Sequence, residues 1–173
     1  MITLLMGPMF AGKTTELIRM LKRKARAGHE VRLYKSVLDT RYTKRPLAMS
    51  HDGMSMDCIC ISDAREIDPG NASVIGIEEG QFIENLVEVT ESLAAQGIQV
   101  IVAALSGDAN RNMFPNIAAL LPKCEDVILL KAVCQTCKVD ASFTRKLVQN
   151  GQLVDTGASD KYEAACRNCH LLK

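Results

Sequence analysis

The stretch from Gly7 to Thr14 carries the most specific chemical signal in the chain. It reads GPMFAGKT and fits the phosphate-binding pattern G-x-x-x-x-G-K-[ST]. In this pattern backbone N–H groups point at the phosphates, the lysine contacts the β and γ oxygens, and the hydroxyl can ligate Mg²⁺. The sequence therefore predicts ATP binding through Gly7, Pro8, Met9, Phe10, Ala11, Gly12, Lys13, Thr14 and Thr15.

Two adjacent carboxylates, Glu78 and Glu79, follow a short apolar run that is typical of a buried strand. In open α/β sheets ligands bind beyond the carboxyl ends of the strands. One carboxylate there could hold magnesium-bound water, and its neighbour could accept a proton from an attacking hydroxyl. Because two such charges repel, we expect a positive charge nearby. The alternative is a solvated acidic strand end.

Four of the seven cysteines form two C-x-x-C pairs, Cys134 with Cys137 and Cys166 with Cys169. Two such pairs can close a tetrahedral thiolate site around structural Zn²⁺. The spacer is longer than in most zinc ribbons, so buried thiols or a redox pair remain alternatives. A metal there would tether residues 138–165 at both ends and could close that segment over a substrate. Cys58, Cys60 and Cys124 are interpreted as small buried hydrophobes.

A polar stretch at residues 37–54 reads as a long loop and contains Asp39, Arg41, His51 and Asp52. The aspartate and the arginine, two residues apart, could contact a magnesium ion and the phosphate that is transferred. A solvated surface loop is the simpler interpretation of the same residues, and His51 is more often structural than catalytic.

The apolar pattern predicts strands at residues 2–6, 30–36, 56–61, 73–80, 99–105 and 126–132. It predicts helices at residues 12–28, 81–96 and 115–121. This alternation indicates an α/β fold with a doubly wound, mostly parallel sheet. The predicted division is a nucleotide-binding domain at residues 1–132 and a small zinc-binding domain at residues 133–173.

Composition limits the function classes. The 173 residues are 47% hydrophobic and carry a formal net charge of +1, which argues against a nucleic-acid or membrane partner. We find no run long enough to span a bilayer and no signal peptide, so a cytoplasmic protein is expected. The alternatives considered are another phosphate-loop kinase for a hydroxylated substrate, an ATP-binding interaction module, and a recombinase-like ATPase acting on DNA.

Taken together, these motifs resemble the cellular and poxvirus type of thymidine kinase. The similar stretches run in order through nearly the whole chain: GPMFAGKTTELIR, DTRY, SHD, VIGIEEGQF, VIVAAL, AVCQTC, SFTRKL and DKYEAACRNC. The resemblance implies a P-loop, RecA-like core and a zinc-pinned lasso that closes over the nucleoside. It implies transfer of the γ-phosphate of ATP, with Mg²⁺, to the 5′-hydroxyl of deoxythymidine in nucleotide salvage.

The resemblance also assigns roles. Glu79 is implied as the catalytic base and Glu78 as the carboxylate on the magnesium side, with Asp39, Arg41 and Gln81 near ATP. The implied nucleoside-binding residues are Met9, Phe82, Leu105, Phe114, Thr144, Leu153, Asp155, Thr156, Gly157 and Tyr162. The family further implies a homotetramer and feedback binding of thymidine triphosphate.

Three positions depart from the family pattern. Glu78 stands where the family usually has Asp, Ala109 where it usually has an aromatic ring beside the base, and Ala158 where it usually has Gly. Ala109 leaves space unless a neighbour such as Met113 fills it. Loss of the thymine methyl contact removes only about 1–3 kcal/mol, so deoxyuridine is expected to remain a substrate, whereas cytosine presents the wrong base edge.

Overall fold

The structure is a computed structural model that describes residues 1–38, 47–50, 53–147 and 161–172. Several predicted site residues lie outside these ranges, and their predicted roles stay predictions. They are Asp39, Arg41, His51, Asp52, Leu153, Asp155, Thr156, Gly157 and Ala158.

The described residues form twelve strands, four α-helices and three short 3₁₀ helices. The strands are β1 (Ile2–Gly7), β2 (Val31–Ser36), β3 (Leu47–Met49), β4 (Ser55–Asp57), β5 (Ile59–Ile61), β6 (Val74–Glu78), β7 (Gln99–Leu105), β8 (Asp126–Leu129), β9 (Ala132–Val133), β10 (Asp140–Ala141), β11 (Phe143–Lys146) and β12 (Tyr162–Ala165). The α-helices are α1 (Lys13–Arg26), α2 (Leu86–Ala95), α3 (Pro115–Leu120) and α4 (Arg167–Leu171). The 3₁₀ helices span Ala64–Glu66, Gly80–Phe82 and Leu121–Lys123.

Six of the strands form one sheet in the order β5-β2-β6-β7-β1-β8, and every adjacent pair in it is parallel. This confirms the predicted α/β class with a mostly parallel sheet. The carboxyl ends of β1, β6 and β7 therefore lie along one edge of the sheet. The phosphate loop follows β1 at this edge, Glu78 and Leu105 end β6 and β7, and Glu79 follows β6.

Both faces of the sheet are covered, because successive residues of a strand point to opposite faces. Leu4 belongs to the apolar cluster that contains Leu86 of α2 and Ile117 of α3. Its neighbour Leu5 belongs to the cluster that contains Leu17 and Leu21 of α1. All of these side chains are at most 1% exposed, so the continuous apolar run of β1 reflects burial on two sides.

Gly76 in β6 allows α1 to approach the sheet closely. A Cβ atom at this position would lie 2.5 Å from Leu21 Cδ1 and 3.1 Å from Leu33 Cδ1. We therefore expect Gly76→Ala to lower the free energy of unfolding by about 1–3 kcal/mol through overpacking, measured by urea denaturation. Adding Leu21→Val should make room, so the double variant should lose less than the sum of the two single losses. An unchanged midpoint in Gly76→Ala would contradict this packing.

The predicted helix over residues 81–96 is wrong in its first turn. The structure has a 3₁₀ turn at Gly80–Phe82, and α2 begins only at Leu86. Asn85 adopts a left-handed conformation with φ 52°, which separates the two segments. Phe82 and Leu86 are four residues apart, as on one face of a helix. This spacing alone does not show that the backbone leaves the helical conformation between them.

The region before β6 also differs from the prediction. The single strand expected at residues 56–61 is two strands, because Ser55–Asp57 pairs antiparallel with Leu47–Met49 while Ile59–Ile61 joins the main sheet beside β2. The predicted long loop at residues 37–54 therefore contains β3 within its described part. Cys58 is buried and lies between β4, which pairs with β3, and β5, which belongs to the main sheet.

Two burial predictions need correction. The apolar run at residues 126–132 is typical of a buried strand, but β8 is one of the two edge strands of the sheet, and Val127 and Leu129 are 45% and 62% exposed. Among the three cysteines expected to be buried, Cys58 is buried, Cys124 is half-buried and Cys60 is exposed. An apolar run does not distinguish a central strand from an edge strand.

The chain after β8 forms two small antiparallel pairs, β9 with β10 and β11 with β12, followed by α4. The predicted domain boundary between residues 132 and 133 stays a prediction. Among the described residues, none of the helices is both long and apolar enough to cross a membrane.

Candidate active site

The phosphate loop connects β1 to α1 in the order that the motif requires. Gly12 has φ 77° and precedes Lys13, the first residue of α1, while Phe10 has φ 66°. Left-handed residues of this kind let successive backbone N–H groups converge on an anion. Lys13 is 8% exposed, and its Nζ donates to the carbonyl oxygen of Pro8 at 2.8 Å. Lys13 is thus held against the loop with which it is predicted to bind phosphate.

A direct hydrogen bond joins the phosphate loop to the acidic strand end. Thr14 Oγ1 donates to Glu78 Oε1 at 2.5 Å, although the two residues are far apart in the sequence. Glu78 ends β6 and is 2% exposed. The structure therefore brings together the two predicted magnesium-side groups, and the longer side chain of Glu78 reaches the threonine.

Glu79 is held in a constrained position immediately after β6. Its backbone is left-handed with φ 54°, and the residue is 5% exposed. Gln81 Nε2 donates to Glu79 Oε2, and Gln81 Oε1 accepts a hydrogen bond from the Leu105 backbone N–H at 3.1 Å. Left-handed backbone at a non-glycine residue is strained and is concentrated at functional sites. Gln81 was predicted near ATP, and in this structure it orients the predicted base.

Sequence reasoning missed two residues that support this turn. Asn116 Nδ2 donates to the carbonyl oxygen of Gly80 at 3.1 Å, and nothing in the local sequence pattern indicated that contact. Lys35 is the direct neighbour of Glu78 on the adjacent strand and is 4% exposed. A lysine near the end of a strand with the apolar residues Val31, Leu33 and Tyr34 was the available signal. The register places this lysine next to Glu78, where a positive charge is expected beside the paired carboxylates.

Predicted nucleoside-binding residues meet in two pairs. The Met9 backbone N–H donates to Thr144 Oγ1 at 3.0 Å in a buried contact between the phosphate loop and β11. The rings of Phe82 and Phe114 pack edge to face with centroids 5.9 Å apart. Tyr162 is 7% exposed and begins β12, beside Thr144 in the same hairpin.

The loop that contains Ala109 is held by its own hydrogen bonds. Asp108 Oδ1 accepts from the backbone N–H groups of Asn110 and Asn112, both at 2.8 Å. His170 Nε2 lies 3.1 Å from the carbonyl oxygen of Ala109 and ties the loop to α4. Met113 is 37% exposed and lines a cavity of about 270 Å³ together with Thr144, so space remains beside this loop.

The four paired cysteines form one compact cluster. Their Sγ atoms all lie within 4.8 Å of one another. A tetrahedral site with Zn–S bonds of about 2.3 Å has sulfurs about 3.8 Å apart, so the spacing fits zinc after a small contraction. Cys134 and Cys169 are buried within a small apolar cluster, against which Phe10 and Ala11 of the phosphate loop pack. The cluster thus adjoins the loop that is predicted to hold ATP.

The surroundings of two of these cysteines favour thiolates. Backbone hydrogen bonds, first from Cys137 and then from Cys166, lower the pKa of Cys134 to about 6. The backbone N–H of Cys169 lowers the pKa of Cys166. Hydrogen bonds with Cys137 and then Cys166 raise the pKa of Cys169 to about 12, because neighbouring sulfurs cannot all ionise without a cation. This arrangement suits a metal that takes up the charge of four thiolates.

Comparison with protein families identifies the group to which this arrangement belongs. Residues 1–170 match the model of the family described as thymidine kinase. The chain belongs to the thymidine kinase family. The resemblance seen in the sequence motifs is thereby confirmed, while the individual residue roles stay predictions.

Similar proteins occur in viruses and in animals. The thymidine kinase of Rabbit fibroma virus is 42% identical over 172 residues, which cover 98% of this chain and 96% of the viral protein. The thymidine kinase of Fowlpox virus is 39% identical over 174 residues, which cover 97% of this chain and 95% of the viral protein. The cytosolic thymidine kinase of Bos taurus is 38% identical over 174 residues, covering 99% of this chain and 72% of the bovine protein. The similarity thus includes both the phosphate loop and the cysteine cluster.

Proposed function

We propose that the protein transfers the γ-phosphate of ATP to the 5′-hydroxyl of deoxythymidine and gives the 5′-monophosphate and ADP. The observation that carries this proposal is the hydrogen bond between Thr14 and Glu78. It brings the acidic end of β6 to the phosphate loop, with Glu79 as the next residue. A phosphate held by the loop and a hydroxyl facing Glu79 would then meet at this edge of the sheet.

The proposed chemistry uses few groups, since phosphoryl transfer depends mainly on positioning and charge stabilisation. Glu79 accepts the proton of the 5′-hydroxyl as its oxygen bonds to the γ-phosphorus. The bond from that phosphorus to the bridging oxygen breaks, and ADP leaves with the electron pair. Lys13 and the N–H groups of the loop stabilise the charge on the phosphate oxygens.

The residues present fit a Mg²⁺ site. The hydroxyl of Thr14 and the carboxylate of Glu78 are hard oxygen donors, 2.5 Å apart, and Mg²⁺ prefers such ligands together with water and phosphates. When bound, Mg²⁺ would neutralise charge on the β and γ oxygens. We propose that Thr14 contacts the metal and that Glu78 holds its water shell.

Recognition of the nucleoside is proposed to involve both pairs described above. Thr144 is already fixed by Met9, and Phe82 is fixed by Phe114, so these side chains need little ordering when substrate binds. Tyr162 lies two residues along its strand from Ala164, the partner of Thr144, and so on the same face of the hairpin. The family resemblance adds Leu153, Asp155, Thr156 and Gly157, which lie outside the described residues.

We propose that the four-cysteine cluster holds one structural Zn²⁺. The donor set supports this assignment because four thiolates leave no open position for a substrate. In this role zinc fixes the start and the end of the segment that crosses the nucleoside. It therefore contributes to folding and substrate enclosure and takes no part in the chemical step.

Three further properties are proposed on the resemblance. The protein forms a homotetramer, which is supported by the exposed Val127 and Leu129 on the outer strand β8. Thymidine triphosphate binds as a feedback inhibitor, because it carries both the nucleoside and phosphates that the site would hold. A cytoplasmic location is supported by the bovine relative named as cytosolic.

A nucleoside panel tests the proposed substrate class. With ATP and Mg²⁺ we expect the highest kcat/KM for deoxythymidine and a value about 10- to 200-fold lower for deoxyuridine, which lacks one methyl group. Deoxycytidine and deoxyguanosine should give no product above background, since they present the wrong polar edge. Comparable rates with deoxycytidine would contradict the proposal and indicate a remodelled kinase of another specificity.

A further inference from the structure

The hairpin of β11 and β12 has two faces that serve different parts of the molecule. Side chains alternate along a strand, so Thr144 and Arg145 point to opposite sides. On one side, Thr144 Oγ1 accepts the backbone N–H of Met9 in the phosphate loop. On the other side, Arg145 reaches the cysteine cluster. The two contacts belong to consecutive residues, so displacing one displaces the other.

Arg145 connects both cysteine pairs. Its Nη1 donates to the carbonyl oxygen of Cys169 at 2.5 Å, and its Nη2 donates to Thr136 Oγ1 at 3.4 Å. Thr136 lies between Cys134 and Cys137, while Cys169 belongs to the second pair. A single guanidinium therefore spans the two halves of the cluster. Its planar fork of donors allows this, whereas a lysine offers only one point of attachment.

The orientation of Arg145 is fixed by a cross-strand partner. Glu163 lies directly opposite Arg145 in the hairpin register, and its Oε1 accepts from Arg145 Nε at 2.6 Å. The two side chains are 27% and 17% exposed, which shields the pair in part. Nη1 also lies 3.3 Å from the carbonyl oxygen of Leu172, after the end of α4. These contacts hold the guanidinium in the position that spans both cysteine pairs.

The phosphate loop also rests on the cysteine cluster through packing. Phe10 and Ala11 pack against a cluster whose buried members, among the described residues, are Ala132, Cys134, Ala141, Ala164 and Cys169. Such small side chains bury little apolar area, so packing alone gives the contact limited stability. The proposed metal and the hydrogen bonds of Arg145 are two further elements that can hold this surface in place.

We propose that Arg145 is a positioning residue that makes the zinc cluster a brace for the phosphate loop. In this arrangement Arg145 locks the two cysteine pairs together, and the adjacent Thr144 transmits their position to Met9. The nucleotide affinity of the loop then depends on the zinc cluster, although neither the metal nor Arg145 touches ATP. This role of Arg145 extends the proposed function. It requires that the protein binds zinc and ATP, but it does not require the transfer of phosphate to deoxythymidine.

Two measurements test it without requiring catalysis. The first is the rate at which the purified protein releases zinc to the chelating dye 4-(2-pyridylazo)resorcinol. The second is the dissociation constant of a non-hydrolysable ATP analogue. We expect Arg145→Met to release zinc at least about tenfold faster, because outer contacts tune metal sites by that order. We expect its affinity for the analogue to fall about fivefold, as for one weakened buried hydrogen bond.

Arg167→Met is the matched control. Arg167 also lies in the cysteine region, with its guanidinium 5.1 Å from the centre of the Phe143 ring. Among the described residues it does not connect the two cysteine pairs, so both measured values should stay at the wild-type level. If Arg145→Met does not fold, Glu163→Gln provides a milder change, since it weakens the orientation of Arg145 and should move both values in the same direction.

Each result has a definite consequence. Equal zinc release in Arg145→Met and Arg167→Met would overturn the role of Arg145 in the cluster, as would a wild-type protein without zinc. Faster release with unchanged affinity for the analogue would overturn the coupling to the phosphate loop. A wild-type protein that binds the analogue but does not phosphorylate deoxythymidine would refute the proposed function alone.

Discussion

Replacing Glu79 with glutamine is expected to reduce kcat by about two to four orders of magnitude, the usual contribution of a general base. Glutamine has nearly the same shape, but it cannot accept the proton of the attacking hydroxyl. The hydrogen bond between Thr14 and Glu78 does not involve Glu79, so ATP affinity should stay within about twofold of wild type. Steady-state kinetics and direct ATP titration measure the two quantities separately.

Glu88→Gln is the control for this change. Glu88 is exposed on α2 and loses the same charge at a distance from the phosphate loop. We expect Glu88→Gln to have the kcat and the ATP affinity of the wild-type protein. Wild-type turnover in Glu79→Gln would refute the assignment of Glu79 as the base, and a large loss of ATP affinity would indicate that Glu79 serves the nucleotide instead.

Loss of one cysteine ligand is the second change with a large expected effect. We expect the wild-type protein to contain about one zinc per chain and Cys166→Ser to contain almost none after dialysis against a chelator. Because binding of zinc to four thiolates contributes about 10–16 kcal/mol in small domains, the C-terminal region should lose its ordered structure. Metal analysis by mass spectrometry, with thermal unfolding, measures both effects.

Cys60→Ser provides the matched control. Cys60 is exposed on β5 and lies outside the four-cysteine cluster, so its replacement should change neither zinc content nor the melting temperature. A Cys166→Ser protein that is metal-free, correctly folded and fully active would contradict a structural zinc site. Equal loss of zinc in both variants would indicate general unfolding.

The features that sequence reasoning identified correctly are those with local chemical reasons. The predicted phosphate loop lies between β1 and α1, with Gly12 directly before the helix and Lys13 and Thr14 at its start, so the order and spacing of these residues were sufficient to predict the local structure. The two C-x-x-C pairs likewise specify a thiolate cluster once they meet in space. For β1, a short apolar run ending in a glycine indicated a buried strand, and Leu4 and Leu5 pack in apolar clusters on opposite faces of the sheet.

The features that it missed depend on contacts between distant segments. Leu129 in β8 is apolar but exposed, since burial depends on whether another strand lies beside it. Asn85 interrupts an apparent helix through its left-handed backbone. Asn116, Lys35 and Arg145 contact residues on other elements, and no local period reveals such partners. In contrast, the family resemblance found Thr144, whose contact with Met9 is equally long-range.

We propose that the edge of the sheet at Thr14, Glu78 and Glu79 supports phosphoryl transfer to a nucleoside. The most direct test is incubation of the protein with deoxythymidine, Mg²⁺ and ATP labelled at the γ-phosphate, followed by separation of the products. We expect the label to appear in thymidine 5′-monophosphate in the same amount as the ADP formed. Label found only as inorganic phosphate, or ATP bound without any transfer, would contradict it.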